Sequence, residues 1–197
     1  MKVLLEPAKA EIEVRKSRFI SIAIPTKTLE EAREAVARVK AEYADSTHVV
    51  HAAVVGSNGT MFSSSDDREP KNTAGRPALE VLRGSGITDI TVCIVRYFGG
   101  TLLGTGGLVK AYGDSTKEVL KHVRTEELIE RIRFSMLLPY ELYNRARRLI
   151  EECEATSIEE SFETGITING LIPAAAKDRF SSGILDIGQG RISLSFG

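Results

Sequence analysis

The chain has 197 residues, 42% hydrophobic and 27% charged, with a net charge of −1; that suits one medium or two small globular domains and excludes a disordered chain. Residues 1–124 hold 18 basic and 15 acidic side chains, a net +3, and residues 125–197 hold 8 and 12, a net −4, so neither part is a strongly basic nucleic-acid module recognisable from charge alone. Met1 to Arg18 is too charged for a signal peptide, and no run of about eighteen apolar residues exists to cross a bilayer, so the expectation is a cytoplasmic protein with no membrane partner.

The first predicted element is an extended segment, Ala10 to Ile24, closed by Pro25. Thr28 and Glu31 have the spacing of a capping box, in which each side chain satisfies a free backbone donor, so a helix starts there. Leu29, Ala32, Val36, Val39 and Tyr43 give it one apolar face. His48–Val55 and Thr60–Ser64 read as strands joined by Ser57-Asn58-Gly59, since Asn-Gly between apolar runs is a strong hairpin signal. A polar loop, Ser65 to Gly75, leads to a short helix at Arg76-Pro77, where the proline's missing N–H is harmless. Ile87 to Val95 is rich in β-branched residues and reads as a central strand. The glycine-rich stretch Phe98–Gly107 reads as a loop before a helix whose apolar face is Leu108, Ala111, Tyr112, Val119 and Val123.

The charged stretch Arg124 to Glu130 marks a boundary, giving domains over residues 1–128 and 129–197. The second reads as strand (Arg133–Pro139), helix (Tyr140–Glu154, with Leu142, Ala146, Leu149 and Cys153 inward and a Glu141→Arg145 pair outward), then two strands (Ser157–Glu163 and Ile166–Ile172) joined at Thr164-Gly165. A helix weakened by Ser181-Ser182-Gly183 (Ala174–Leu185) and a last strand (Arg191–Phe196) complete it. The order β-α-β-β-α-β is the ferredoxin-like arrangement, so the fold class is α+β in two domains. Cys93 and Cys153 form no CxxC pair and sit in apolar stretches, and they read as reduced thiols.

Chemistry concentrates in three segments: Ser46-Thr47-His48, Ser65–Pro77 and the stretch from Arg96. Asp66, Asp67 and Glu69 are three carboxylates within four positions. They suit a hard cation or a general base, and equally a solvated turn capping the next helix; the spacing is not that of an EF-hand. The glycine stretch suits phosphate at a helix N-terminus, and equally a tight connection that needs positive φ. It is neither a Walker A loop, since Thr105 stands at the lysine position, nor a dinucleotide loop, since Val109 stands at the third glycine. Arg76 and Arg96 are the candidate anion contacts, with salt bridges to the acidic loop as the alternative. His48 is a candidate acid/base or ligand residue, with a structural histidine at the start of a strand as the alternative, and alternation puts His51 on the opposite face, so the two do not chelate one metal. No serine or cysteine has a nucleophile's surroundings.

Ser17–Ser21 (SRFIS), Ser46–His48 (STH), Asp66–Pro77 (DDREPKNTAGRP) and Arg96–Tyr112 (RYFGGTLLGTGGLVKAY) resemble the signature of the YigZ/IMPACT family over residues 15–122. The resemblance implies an N-terminal domain with the fold of a small-subunit ribosomal protein and of elongation factor G domain IV. It also implies a C-terminal domain like domain V of that factor. Eukaryotic relatives regulate translation by competing for a protein partner, and bacterial members are thought to bind nucleic acid or ribosomal components. The sequence departs from the family pattern at Arg68, where glycine is usual, at Lys71-Asn72, at Leu102, where lysine is common, and at Val50, where cysteine is usual. The residues carried over as candidates are His48, Asp66, Asp67, Glu69, Thr73, Arg76, Arg96, Gly99, Gly100, Gly104, Gly106 and Gly107. Three functions stand as expectations: a module that contacts RNA or the ribosome and regulates translation; an enzyme that binds a phosphorylated small molecule with a divalent cation; and a regulator that docks a protein partner on the acidic second domain. Whether the protein is an enzyme, and which metal or cofactor it holds, are left open by the residues.

Overall fold

Alternating apolar residues in the first half of the chain build an antiparallel sheet that is buried on both faces. The computed structural model describes residues 1–197 and divides into two units, Met1–Leu128 and Ile129–Gly197, each a mixture of helix and strand. The first unit contains β1 (Lys2–Leu4), β2 (Ala8–Val14), β3 (Ser17–Pro25), α1 (Leu29–Glu42), β4 (His48–Val55), β5 (Met61–Ser65), α2 (Gly75–Gly84), β6 (Ile87–Thr88), β7 (Ile90–Tyr97), α3 (Gly104–Leu120) and β8 (Thr125–Glu127). The main sheet has the order β2-β3-β7-β4-β5, antiparallel throughout. Its central strand, β7, has only apolar and small side chains before Arg96, as burial on both faces requires.

The period of two sorts each strand between two helical layers. Ile20, Val49, Cys93 and Val95 pack with Val36 and Val39 of α1. Phe19, Ala23, Val50, Ala52 and Ile94 face the larger core, with Ala78 and Leu82 of α2 and Leu108, Ala111 and Tyr112 of α3. Helix α1 starts as its sequence dictates: Thr28 Oγ1 accepts from the Glu31 amide at 3.1 Å, and Glu31 accepts from the Lys27 amide at 2.7 Å.

Four expectations for the first unit need correction. The segment Ala10–Ile24 is not one strand but parts of the β2–β3 hairpin. Its two-residue turn is Arg15-Lys16, with φ of 47° and 66°; two basic residues with left-handed φ carry none of the Asn-Gly signal such a turn usually shows. Ile87–Val95 is broken at Asp89, whose φ is 54°. Its first part, β6, leaves the main sheet and pairs in parallel with β1, while β8 pairs antiparallel on the other side of β1. The charged stretch read as a boundary therefore includes a strand. Finally, α3 begins at Gly104, which opens it in left-handed backbone with φ of 72°, so Gly106 and Gly107 are helical and not loop residues.

The second unit contains β9 (Arg131–Leu138), a 3-10 turn at Tyr140–Leu142, α4 (Tyr143–Glu152), β10 (Thr156–Phe162), β11 (Ile166–Pro173), α5 (Lys177–Gly188) and β12 (Ser193–Phe196). Its four strands lie in the order β10-β11-β9-β12, antiparallel throughout. Phe134, Met136, Leu138, Ile166, Ile168 and Ile172 pack on Ala146, Leu149 and Ile150 of α4 and on Phe180 and Ile184 of α5. Gly183 does not interrupt α5. A Cβ there would lie 2.7 Å from Leu149 Cδ2, so glycine lets the two helices approach. The Glu141→Arg145 pair is replaced by a link from Glu141 to Arg191 at 3.0 Å. No helix of the chain is long and apolar enough to cross a membrane.

Candidate functional site

Arg96 is the last residue of β7 that points toward the α2–α3 side, and only 5% of it is exposed. A buried guanidinium needs a counter-charge, and Glu69 supplies it: Oε1 lies 2.5 Å from Arg96 Nη1 and also accepts from the Tyr112 hydroxyl at 2.7 Å. Burial, then the hydrogen bond to the Glu69 carboxylate, push the Tyr112 phenol far up, so it stays a proton donor. Arg96 Nη2 reaches Ser17 Oγ at 3.4 Å, and Ser17 Oγ also accepts from the Gly99 amide at 3.2 Å. The guanidinium lies over the rings of Phe19 and Phe98, 5.5 and 5.7 Å from their centroids.

This network floors a cavity of about 440 Å³, lined chiefly by His48, Glu69, Arg96, Phe98, Leu103 and Leu108. Leu102 is 82% exposed and Phe98 47% exposed at its mouth. Gly104 and Thr105, at the uncapped start of α3, also line it. His48 Nε2 is 3.8 Å from Glu69 Oε1, while Nδ1 is 2.8 Å from the Asp67 carbonyl. A carbonyl only accepts, so Nδ1 carries the proton. A second, polar cavity of about 430 Å³ shares Thr47 and His48 with the first and adds Lys40, Ser46, Asp67 and Arg68.

The acidic loop does not act as one cluster. Asp66 caps α2: Oδ1 accepts from the Ala74 and Gly75 amides at 3.1 and 2.8 Å, and Oδ2 from Asn72 at 2.7 Å. Asp67 clamps α1 to β4, with Oδ1 2.6 Å from Lys40 Nζ and Oδ2 accepting from the Val49 amide at 2.7 Å. Burial raises the Asp67 pKa, but the Lys40 ammonium and the Val49 amide outweigh it and hold the group below the usual carboxylate range. The three carboxylates thus diverge, and no group of three or more metal-ligating side chains forms. Only Glu69 reaches the apolar cavity.

The remaining candidates divide in the same way. Thr73 closes a turn onto the Pro70 carbonyl at 2.6 Å. Arg76 is exposed and pairs with Glu80 at 3.0 Å, away from both cavities. Gly99 is held against the β2–β3 turn, where a Cβ would fall 2.0 Å from the Lys16 backbone. Gly100 and Gly104 have φ of 81° and 72°; Gly106 and Gly107 lie in the first turn of α3 and do not line the cavity. His51 faces α1, opposite His48; burial, then Lys40, lower its pKa against the opposing pull of Asp67. Ser17, Thr47, Arg68, Phe98 and Tyr112 fall within the stretches that the sequence singled out but not among its candidate residues. Tyr112 carried a usable signal, because a tyrosine on the apolar face of a helix needs a buried partner for its hydroxyl.

Comparison with known proteins adds to this geometry. The family model described as the Impact N-terminal domain matches residues 15–120. The "IMPACT family member YigZ" of Escherichia coli (strain K12) is 35% identical over 190 residues, covering 95% of this chain and 93% of its own length. The "IMPACT family member YvyE" of Bacillus subtilis (strain 168) is 41% identical over 122 residues, covering 62% and 56%. A crystal structure described as that of a hypothetical protein superposes with a TM-score of 0.71 at 34% identity, covering 98% and 95% of the two chains.

Proposed function

The chain belongs to the IMPACT family, and from that premise we propose that its first unit is a cytoplasmic RNA-contacting module of the translation machinery. The observation that carries the reading is the apolar cavity with exposed Phe98 and Leu102 at its mouth, beside segments that carry exposed cations. Exposed Lys16 belongs to the turn that abuts Gly99, and exposed Lys71 follows Pro70 of the cavity wall. Arg68 is likewise exposed and reaches the Thr47 carbonyl at 3.4 Å. An exposed aromatic ring within a basic surround suits an unstacked base and its phosphodiester backbone. Such a patch coexists with a net charge near zero because net charge does not report distribution.

The divergence of Asp66, Asp67 and Glu69 weakens the cation-dependent enzyme reading, since two of the three are engaged by backbone amides or Lys40. In the second unit, the strand order supports a ferredoxin-like domain of the kind the resemblance implies. Exposed Tyr140 and Phe162, the latter 5.9 Å from the Tyr143 ring, support a protein-docking role for that unit as a second reading.

The test is fluorescence anisotropy with single-stranded RNA at about 50 mM and about 200 mM salt. The wild type binds with a steep salt dependence, Phe98→Ala weakens binding at both concentrations, and Lys16→Glu with Lys71→Glu flattens the salt slope. Binding indifferent to salt and to all three substitutions refutes the reading. Arg96→Ala is unsuitable here, because Arg96 is part of the floor of the site and its removal tests folding.

A further inference from the structure

The two cavities adjoin at Thr47 and His48 and have complementary chemistry. The apolar one has the volume and ring surface for a base, and its polar groups come in a particular order. Glu69 engages Arg96 and Tyr112 through Oε1 alone, and no hydrogen bond within the molecule uses Oε2. His48 is held by Nδ1, so in the neutral ring Nε2 is a second acceptor on the same wall. The uncapped first amides of α3, at Gly104 and Thr105, add donors to the lining. Two acceptors and backbone donors match guanine, whose Watson–Crick edge presents N1–H and the 2-amino group beside the O6 acceptor. Adenine presents a 6-amino donor beside the N1 acceptor and no second donor, and uracil a single donor between two acceptors.

The polar cavity supplies the other half. Asp67 and Arg68 both hold left-handed backbone, at φ of 44° and 72°, a conformation that glycine adopts without strain. Asp67 is pinned to β4 by its side chain and its carbonyl. That fixes exposed Arg68 over Thr47, where Nη2 reaches the carbonyl at 3.4 Å, and Arg68 lines the same polar cavity as Ser46 and Lys40. An arginine kept where glycine is cheaper, its fork exposed at the rim of a polar cavity, suits a phosphate group.

We propose that the paired cavities take a guanosine phosphate unit, with the guanine edge on Glu69 and His48 and the phosphate on Arg68 and Ser46. This rests on the RNA reading and names the nucleotide it selects. The ligand comes either from a guanosine within single-stranded RNA or from free guanosine monophosphate.

The experiment is a nuclear magnetic resonance titration of the full chain, following the His48 ring. The probes are guanosine, guanosine and adenosine monophosphates, and uridine oligonucleotides carrying one guanosine, inosine or adenosine. The guanosine probe of each pair is expected to bind about tenfold or more tightly than the adenosine one, the discrimination of a good paired contact, with inosine, which lacks the 2-amino group, between them. Arg68→Gly relieves the backbone strain and so leaves the fold intact. It is expected to weaken the monophosphate several-fold and leave guanosine unchanged. An oligonucleotide that outbinds the monophosphate identifies RNA as the source. Monophosphate binding without oligonucleotide binding upholds the guanine site and overturns the RNA reading. Oligonucleotides that bind with the usual salt dependence but equally for every base overturn the guanine site and uphold the RNA reading. Monophosphate affinity untouched by Arg68→Gly overturns the phosphate assignment, and the absence of binding by every probe overturns both proposals.

Discussion

Replacing Arg96 by alanine strips the buried Glu69 of its counter-ion. The pair is 5% and 8% exposed, so solvent screens the lost charge only weakly. Glu69 Oε1 would keep one partner within hydrogen-bond reach, the Tyr112 hydroxyl at 2.7 Å, with His48 Nε2 at 3.8 Å. Breaking a buried ion pair by removing one partner costs about 3–5 kcal/mol, and the loss of the guanidinium's contacts with the Phe19 and Phe98 rings acts in the same direction. A small domain is stable by about 5–15 kcal/mol, so Arg96→Ala uses a large share of that margin. The assay is urea unfolding followed by circular dichroism, with amide exchange in β7 assigning the change to the first unit. Tyr112→Phe removes one hydrogen bond to a charged acceptor and is expected to cost less, about 1.5–3 kcal/mol. Combining Arg96→Met with Glu69→Gln removes both charges while leaving Tyr112 an acceptor, and is expected to recover most of the single-variant loss. A cost below about 1 kcal/mol for Arg96→Ala, or a double variant as unstable as the single one, would refute the claim that an uncompensated Glu69 charge dominates.

Asp67 has a folded-state pKa below its unfolded value, so its contribution to stability is complete above the unfolded pKa of about 3.9 and is lost as pH falls through the folded one. The stability gap between wild type and Asp67→Asn is therefore expected to be widest near neutrality and to close in the acid range; a gap constant with pH in denaturant titrations contradicts the Lys40–Asp67–Val49 clamp. Gly99→Ala places a Cβ on the Lys16 backbone and is expected to displace the loop and lower the melting temperature. Gly106→Ala meets open space in helical backbone and is expected to gain up to about 1 kcal/mol; equal effects of the two would show that the loop is not pressed against the β2–β3 turn. Cys93 is fully buried and its thiol is pushed up to about 12 by burial, and Cys153 is raised by the same cause. Both are expected to alkylate only when the chain unfolds, which mass spectrometry after native and denaturing labelling reads directly.

Local chemistry made much of the fold legible. Thr28 and Glu31 announced α1, Asn58-Gly59 announced the β4–β5 turn, and the β-α-β-β-α-β order of the second unit follows from its apolar periods, because caps, tight turns and amphipathic faces are written in neighbouring residues. The same stretches that carried the candidate residues proved to surround one cavity, but sequence could not say which of them face it. Asp66, Asp67 and Glu69 are neighbours in the chain and do three different jobs, since the loop turns twice through left-handed backbone and sends one side chain to α2, one to β4 and Lys40, and one inward to Arg96. Tertiary structure alone decided that Arg15-Lys16 closes a hairpin, that Asp89 diverts β6 to a second sheet, and that Tyr112, Ser17 and Arg96 meet across 95 residues of chain. Those contacts join groups far apart in sequence, and it is the shared need of buried charges and hydroxyls for partners that selects them, a constraint that exists only once the sheet and helices have closed around them.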